Sequence, residues 1–350
     1  MLTGANGSGK TNLLEAISFL APGRGLRRAR LAEIDRRRID GEPPAFWAVA
    51  AELSGLQGEV RIGTGRDPSK PDQERRVVRI DKVQARGQAI LAEHVAMVWL
   101  TPQMDRLFQE AASGRRRFLD RLVLGYDPGH GPLVAVYEHT LRERARLLRE
   151  NGDPSWIRAL EENLASHGVA IAAARREVAA RLHQAAALEA EAGPFPRAEV
   201  AVAGTVEDWL ADMPALAAEE KFRERLHQSR RQDMESGGTA IGPHRSDLKV
   251  LHGGTGVEAS LCSTGEQKAL LIAILLAHAR LQRGVLGAAP IMLLDEVAAH
   301  LDAERRGGLY NAIIELGIQA WMTGTEDTYF TPLRGLAQFF SVTEARIEPG

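Results

Sequence analysis

Gly4, Ala5, Asn6, Gly7, Ser8, Gly9, Lys10 and Thr11 follow the order G-x-x-x-x-G-K-T. The glycines let successive backbone N–H groups curl around a phosphate, which then faces the positive N-terminus of the following helix. Lys10 would neutralise β- and γ-phosphate oxygens, and the Thr11 hydroxyl would be a Mg²⁺ ligand. The helix this loop must open is written in Leu13, Leu14, Ile17 and Leu20, which recur at helical spacing until Pro22 and Gly23. A glycine-rich turn without a ligand is the bland alternative, and the helix behind it favours the phosphate.

A second group stands far along the chain. The apolar run Ile291, Met292, Leu293, Leu294 ends in Asp295 and Glu296. A buried parallel strand would carry both acids to the carboxyl edge of a sheet, where open α/β sheets bind ligands. Asp295 would hold Mg²⁺ and Glu296 would orient or deprotonate an attacking water, with Lys10 as the other catalytic charge. Between the two groups, Ser263, Thr264, Gly265, Glu266, Gln267 and Lys268 begin a long apolar helix. Small residues at a helix start can offer N–H groups and a hydroxyl to an anion. If that anion is the γ-phosphate in another subunit, ATP joins two heads. An ordinary N-cap at Ser263 or Thr264 is the alternative.

The elements that position these groups fall into three regions: 1–110, the N-terminal part of an ATPase head; 111–232, a helical lobe; and 233–350, the C-terminal part of the head. In the first, Phe46 to Leu53, Glu59 to Ile62, Arg75 to Ile80 and Val95 to Leu100 read as strands, the first three forming an antiparallel meander. In the second, Val134, Tyr137, Leu141 and Leu148 form one helical stripe, and Ile157, Leu160, Leu164, Ile171, Val178 and Leu182 another, with Pro154 near its start. Glu199 to Val202 offers one strand. In the third, Asp247 to Leu251, Pro290 to Leu294 and Gln319 to Met322 are strands and Thr264 to Gln282 a helix. The expected fold class is α/β, a phosphate-loop ATPase head with an inserted helical lobe, its two chain ends assembling one domain.

Composition narrows the classes. With 350 residues, 44% of them hydrophobic, the chain can bury a large core. A formal net charge of −2 leaves nucleic-acid contact to local patches. Arginine supplies 38 of the 44 basic residues; codon usage in a GC-rich genome accounts for most, and a phosphate-binding face would use the same residue. The single cysteine, Cys262, fits a reducing compartment. No secretory signal opens the chain, and the longest apolar run, Ala269 to Ala277, is short of the ~20 residues of a membrane helix. A cytoplasmic protein without a membrane partner is the expectation.

The loop, the Ser263 helix start and the acid pair, in this order, resemble the ABC-type ATPase heads of DNA-maintenance proteins, and within them the RecF family. The likeness is carried by Thr11 to Ile17, by Gly114-Arg115-Arg116-Arg117-Phe118-Leu119-Asp120, and by Ile241-Gly242-Pro243-His244-Arg245-Ser246-Asp247-Leu248. It covers nearly the whole chain, and the short lobe fits RecF better than the long-armed SMC proteins. The resemblance implies a weak, DNA-stimulated ATPase that dimerises on ATP, binds single-strand to double-strand DNA junctions, and acts with RecO and RecR to load RecA. It implies trans γ-phosphate contacts at Ser263 and Gly265, a dimer-crossing Asp302, and Gln103 as a ligand of Mg²⁺ and water; a Thr-Pro-Gln turn serves equally as a plain connection. A head with negligible turnover, acting structurally or as a regulator, is the alternative function.

Several positions depart from the family pattern. Thr264 replaces the first glycine of the usual signature. Thr323, Gly324 and Thr325 follow the last strand where many ABC enzymes have a switch histidine, so a threonine hydroxyl would sense γ-phosphate and hydrolysis would be slow. Only Met1, Leu2 and Thr3 precede the phosphate loop, so its strand and an earlier strand pair are expected to be missing, as from a mis-assigned start. For DNA phosphates the candidates are Arg27 and Arg28, within the cluster Arg24 to Arg38, and Arg115, Arg116 and Arg117. Interleaved Glu33, Asp35 and Asp120 allow a merely solvated face instead.

Overall fold

The computed structural model describes the chain apart from residues 36–45, 56–57, 68 and 70–74, with residues 189–192 described by their backbone alone. In chain order the elements are β1 (Leu2–Thr3), α1 (Lys10–Ser18), α2 (Leu31–Ile34), β2 (Ala48–Gly55), β3 (Gly58–Arg66), β4 (Arg76–Ile80), β5 (Val83–Gln84) and β6 (Met97–Leu100). Then come α3 (Ala112–Leu124), α4 (His130–Arg149), α5 (Pro154–Ala192), β7 (Ala198–Ala203), α6 (Thr205–Asp212), α7 (Ala215–Gln228), α8 (Arg230–Ser236), β8 (Asp247–His252) and β9 (Val257–Glu258). The last are α9 (Thr264–Leu286), β10 (Ile291–Leu294), α10 (Ala303–Glu315), β11 (Ala320–Gly324), β12 (Phe340–Thr343) and β13 (Arg346–Pro349). They form two compact units, residues 1–105 with 279–350, and residues 106–278.

The first unit is built by both ends of the chain. Its six-stranded sheet has the order β13-β12-β1-β11-β10-β6. β10 lies parallel between β11 and β6, with Leu294 opposite Met322 and Leu100. All four residues of β6 are buried, as a strand covered on both faces requires. Where no strand was expected ahead of the phosphate loop, Leu2 and Thr3 form a two-residue one. Leu2 pairs in parallel with Thr323 on one side and Phe340 on the other, and is 1% exposed. Neighbours on both sides replace the pairing that length would give. The hairpin β12–β13 was not anticipated from sequence, because its turn uses Glu344 and Ala345 at φ 48° and 61°, a conformation usually marked by Asn or Gly.

Strands β2 to β5 make the expected antiparallel meander. Alternate residues face inward: Val49, Ala51 and Leu53 of β2, Val60 and Ile62 of β3, and Val78 and Ile80 of β4 pack into one core with Leu2, Leu14, Trp99 and Leu293. The phosphate-loop helix therefore lies between this apolar face and the six-stranded sheet. Arg76 on β4 holds the far end of that helix, donating to the carbonyls of Phe19, Ala21 and Gly23, and its burial lowers its pKa to about 10.

In the second unit α4 packs along α5, a helix of 39 residues that begins at Pro154, with the Asp153 carboxylate accepting the Ser155 N–H at 2.7 Å. Ile157, Leu164, Ile171, Val178 and Leu182 are buried along one face of α5, as their spacing requires. Ala218, Phe222 and Leu226 of α7, four residues apart, close the core with Tyr137. β8 pairs with β7, Val250 opposite Val200, in the sheet β7-β8-β9. This pairing moves residues 233–278 into the helical unit, so the compact units divide near 106 and 278, whereas sequence pattern suggested 111 and 232. α9 is long and apolar enough to cross a membrane by length and composition, yet 67% of that apolar stretch is buried inside the protein.

Arg144 lies at the centre of this unit without solvent exposure. It donates to Glu161 Oε1 at 3.1 Å, Asp233 Oδ2 at 2.8 Å, Thr239 Oγ1 at 3.0 Å and the Leu226 carbonyl at 2.7 Å. A buried cation with four acceptors, two of them carboxylates, is compensated, whereas either partner alone would not be.

Candidate nucleotide-binding site

The phosphate loop runs from β1 to α1. Gly9 caps the helix at φ 108°, a left-handed conformation that calls for glycine, and it lies against Ala345. Ala345 donates its N–H to the Ser8 carbonyl at 2.9 Å, tying the unforeseen β12–β13 turn to the loop. Lys10 is 4% exposed, and its Nζ donates to the Gly4 and Ala5 carbonyls at 2.6 and 2.8 Å. The ammonium thus sits over its own loop, where phosphate oxygens would be its partners. The Ser8 hydroxyl is buried without a hydrogen-bond partner, an orphan that a phosphate oxygen would satisfy.

The acid pair meets this loop. Thr11 Oγ1 donates to the Asp295 carboxylate, 3.2 and 3.1 Å from its two oxygens, across 284 residues of sequence. Asp295 is held by its own N–H, which donates to the Leu100 carbonyl at 2.9 Å, and by Thr323 Oγ1, which donates to Oδ1 at 2.7 Å. Glu296 follows at φ 51°. Thr11, Gln103, Asp295 and Glu296 line a cleft of about 210 Å³ together with Leu26, Arg27, Thr101 and Pro102. Among the described residues no group of three or more His, Cys, Asp or Glu side chains could nest a metal ion by itself. Thr11 and Asp295 are the hard oxygen donors that suit Mg²⁺ shared with phosphates.

Arg27, considered from sequence only as a DNA-phosphate contact, lines this cleft, and its partner Glu15 was given no role from sequence. Glu15 is 3% exposed and accepts the Arg27 N–H and, at 2.7 Å, its Nε. Arg27 also donates to Asn12 Oδ1, so the guanidinium is fixed at the rim of the cleft. Arg28 is exposed at φ 58°. Arg36, Arg37 and Arg38, part of the same cluster, lie outside the described residues.

The Ser263 motif lies in the second unit. Ser263 and Glu266 form a capping box: Glu266 Oε2 accepts the Ser263 N–H and hydroxyl at 2.8 Å each, and the Glu266 N–H faces Ser263 Oγ at 3.3 Å. Ser263 and Thr264 are exposed, and a Cβ on Gly265 would meet nothing within 4 Å, so the helix start is an open, small-residue surface. Asp302 caps α10 through the Arg305 N–H at 2.7 Å and is largely exposed.

The motifs around Arg115 and His244 dock on each other. Arg115 donates to both Asp247 oxygens, at 2.7 and 3.0 Å, and to the carbonyls of Leu107, Phe108 and Glu110. Arg116 donates to the Ser246 carbonyl at 2.7 Å, and burial, with Arg175 adding repulsion, lowers its pKa. Arg115 and Arg116, considered from sequence as phosphate contacts, are turned inward; Arg117 alone of the three is exposed. Arg175 forks to Asp120 at 2.8 Å and reaches the Pro243 carbonyl. Burial would raise the Asp120 pKa, but the bonds from His130 and Arg175 outweigh it and hold it below the ordinary range. His244 Nε2 faces the Thr239 carbonyl at 2.9 Å and so carries the proton, leaving Nδ1 to accept the Tyr137 hydroxyl at 2.9 Å. Burial lowers its pKa to about 4, with Arg245 and Arg116 contributing.

Residues 1–347 match the RecF/RecN/SMC N terminal domain family. The chain is 48% identical over 350 residues to the DNA replication and repair protein RecF of Mesorhizobium japonicum, covering all of this chain and 91% of that one. It is 46% identical over 348 residues to RecF of Rhizobium etli strain CIAT 652, covering 99% and 91%. Among solved structures, the recombination mediator protein RecF with ATPγS, in the RecFOR pathway, superposes with a TM-score of 0.84 at 23% identity, over 99% of this chain and 91% of that one. An Smc head bound to the C-terminal winged helix domain of ScpA gives 0.53 at 16%, over 100% and 88%. At these identities the structures speak for the fold alone.

Proposed function

The chain belongs to the RecF family, whose members act in DNA replication and repair, and on that premise we propose that it is an ATP-switched DNA-binding protein of recombinational repair. ATP would lie on the phosphate loop, with Lys10 against β- and γ-phosphate oxygens and the N–H groups of residues 7 to 11 around the β-phosphate. Mg²⁺, when bound, neutralises charge developing on those oxygens; Thr11 and Asp295 would hold it, with Gln103 beside them. Ser263 and Gly265 of a second copy would complete the γ-phosphate shell, so that ATP closes a homodimer. Glu296 would orient the attacking water for a slow hydrolysis that reopens the dimer.

Closed on DNA at single-strand gaps or junctions, the dimer would assist RecA loading with RecO and RecR. Arg117, Arg27 and Arg28 would be the phosphate contacts, because they are exposed whereas Arg115 and Arg116 are turned into the protein. The observation that carries this reading is the convergence of Thr11, Gln103, Asp295 and Glu296 on one cleft beside the loop of Lys10. With ATP, Glu296→Gln should accumulate as a dimer that retains duplex DNA, followed by light scattering and gel shift. A monomer at every ATP concentration would refute the switch.

A further inference from the structure

Thr323 is fully buried at the end of β11. A hydroxyl has one proton to give and lone pairs to receive, and both are used here. It donates to Asp295 Oδ1 at 2.7 Å and accepts the Glu296 N–H at 2.9 Å. One side chain from the neighbouring strand therefore holds two consecutive acids that have different tasks. The strand register puts it there: Leu294 lies opposite Met322 on parallel strands, so residues 295 and 323 both sit one step beyond that pair.

Glu296 needs such a hold. At φ 51° it occupies the left-handed region, which a non-glycine residue holds only where its surroundings enforce it. Its N–H is partly buried, and Thr323 is the partner that satisfies it. Asp295 gains as much, because Thr11 alone, at 3.1 to 3.2 Å, would leave its carboxylate loosely oriented.

We propose that Thr323 is a positioning residue that couples Asp295 to Glu296, fixing the carboxylate plane of the first and the backbone of the second. It does so from within the protein, without reaching the phosphate itself, and takes over alignment in a site where β11 is followed by no histidine. This rests on the reading that the cleft holds Mg·ATP and hydrolyses it slowly.

Thr323→Val keeps the shape and removes the hydroxyl; Thr323→Ser keeps the hydroxyl. In Thr323→Val the Glu296 amide should exchange with deuterium at least about tenfold faster. The preference for Mn·ATP over metal-free ATP, read by titration and by Mn²⁺ paramagnetic resonance, should fall by about tenfold, and kcat by about 10–100-fold with KM nearly constant, as for lost support of a metal ligand. Thr323→Ser should restore all three. If Val leaves amide exchange and metal preference unchanged, or if Ser fails to restore them, the proposal is wrong. Thr323→Ala gives the same comparison should Val not fold. A wild-type chain hydrolysing no faster than Glu296→Gln would refute the hydrolase reading alone, while amide exchange and metal preference still decide the role of Thr323.

Discussion

His244 offers a sharp measurement because its protonation states differ so much in surroundings. Folded, it is neutral, its Nε2–H on the Thr239 carbonyl and its Nδ1 on the Tyr137 hydroxyl, with a pKa near 4 caused first by burial. Unfolded, it titrates near 6.5. Between these values the unfolded chain binds a proton that the folded chain refuses, so stability rises with pH through this window and is lost as pH falls from about 6.5 toward 4. Lowering the pH from 7.5 to 5 traverses roughly 1.5 units of the window, which at about 1.4 kcal/mol per unit costs about 2 kcal/mol. In His244→Gln the amide can donate to Thr239 and accept from Tyr137 but cannot titrate. Urea unfolding of both proteins at pH 7.5 and 5 subtracts the carboxylates common to the two. Wild type should lose about 2 kcal/mol more than the variant. Equal losses, or a larger one in the variant, would mean that His244 is protonated or solvated in the fold and that the described pairing is wrong.

Arg144→Ala should destabilise the second unit by about 3–5 kcal/mol, because Glu161 and Asp233 remain buried without their cation, and Arg144→Met should not recover this loss; urea melts of both variants measure it. Arg117→Ala should leave the melting temperature unchanged and flatten the salt dependence of DNA binding by about 0.9 in log–log slope per phosphate contact removed. Arg115→Ala should behave oppositely, lowering stability by about 2 kcal/mol or more through the stranded Asp247 and three vacated carbonyls while leaving the salt slope intact. Filter binding at several salt concentrations, paired with thermal melts, distinguishes these outcomes.

The features legible in the sequence were those whose chemistry is local. The phosphate loop, the helix after it, the stripes of α4 and α5 and the apolar strand before Asp295 each declare themselves within a window of a few turns. What escaped was decided by partners distant in the chain. Arg115 and Arg117 carry the same charge two positions apart, and only the arrival of Asp247 turns the first inward. β8 looked like a strand of the head until its pairing with β7, some 50 residues upstream, placed it elsewhere. The β12–β13 turn carries no glycine or asparagine, so nothing local announced that Ala345 would brace the phosphate loop. Thr323 was noticed as a hydroxyl after a strand, but its partners Asp295 and Glu296 are known only once the parallel register is known.

The two-residue strand ahead of the phosphate loop bears on how the protein is made. Leu2 has its neighbours in Thr323 and Phe340, and β6 has its neighbour in β10. During synthesis residues 1–105 leave the ribosome with the loop fully translated and without the strand neighbours of β1 and β6, which come only with residues 291–343. Leu2 and Thr3 are thus secured only by strands more than 300 residues further along the chain, which closes a loop of that length. A chain halted before β10 carries the phosphate-loop sequence but lacks Asp295 and the strand neighbours of Leu2, so the loop and its acid partner can meet only once residues 291–343 have been made.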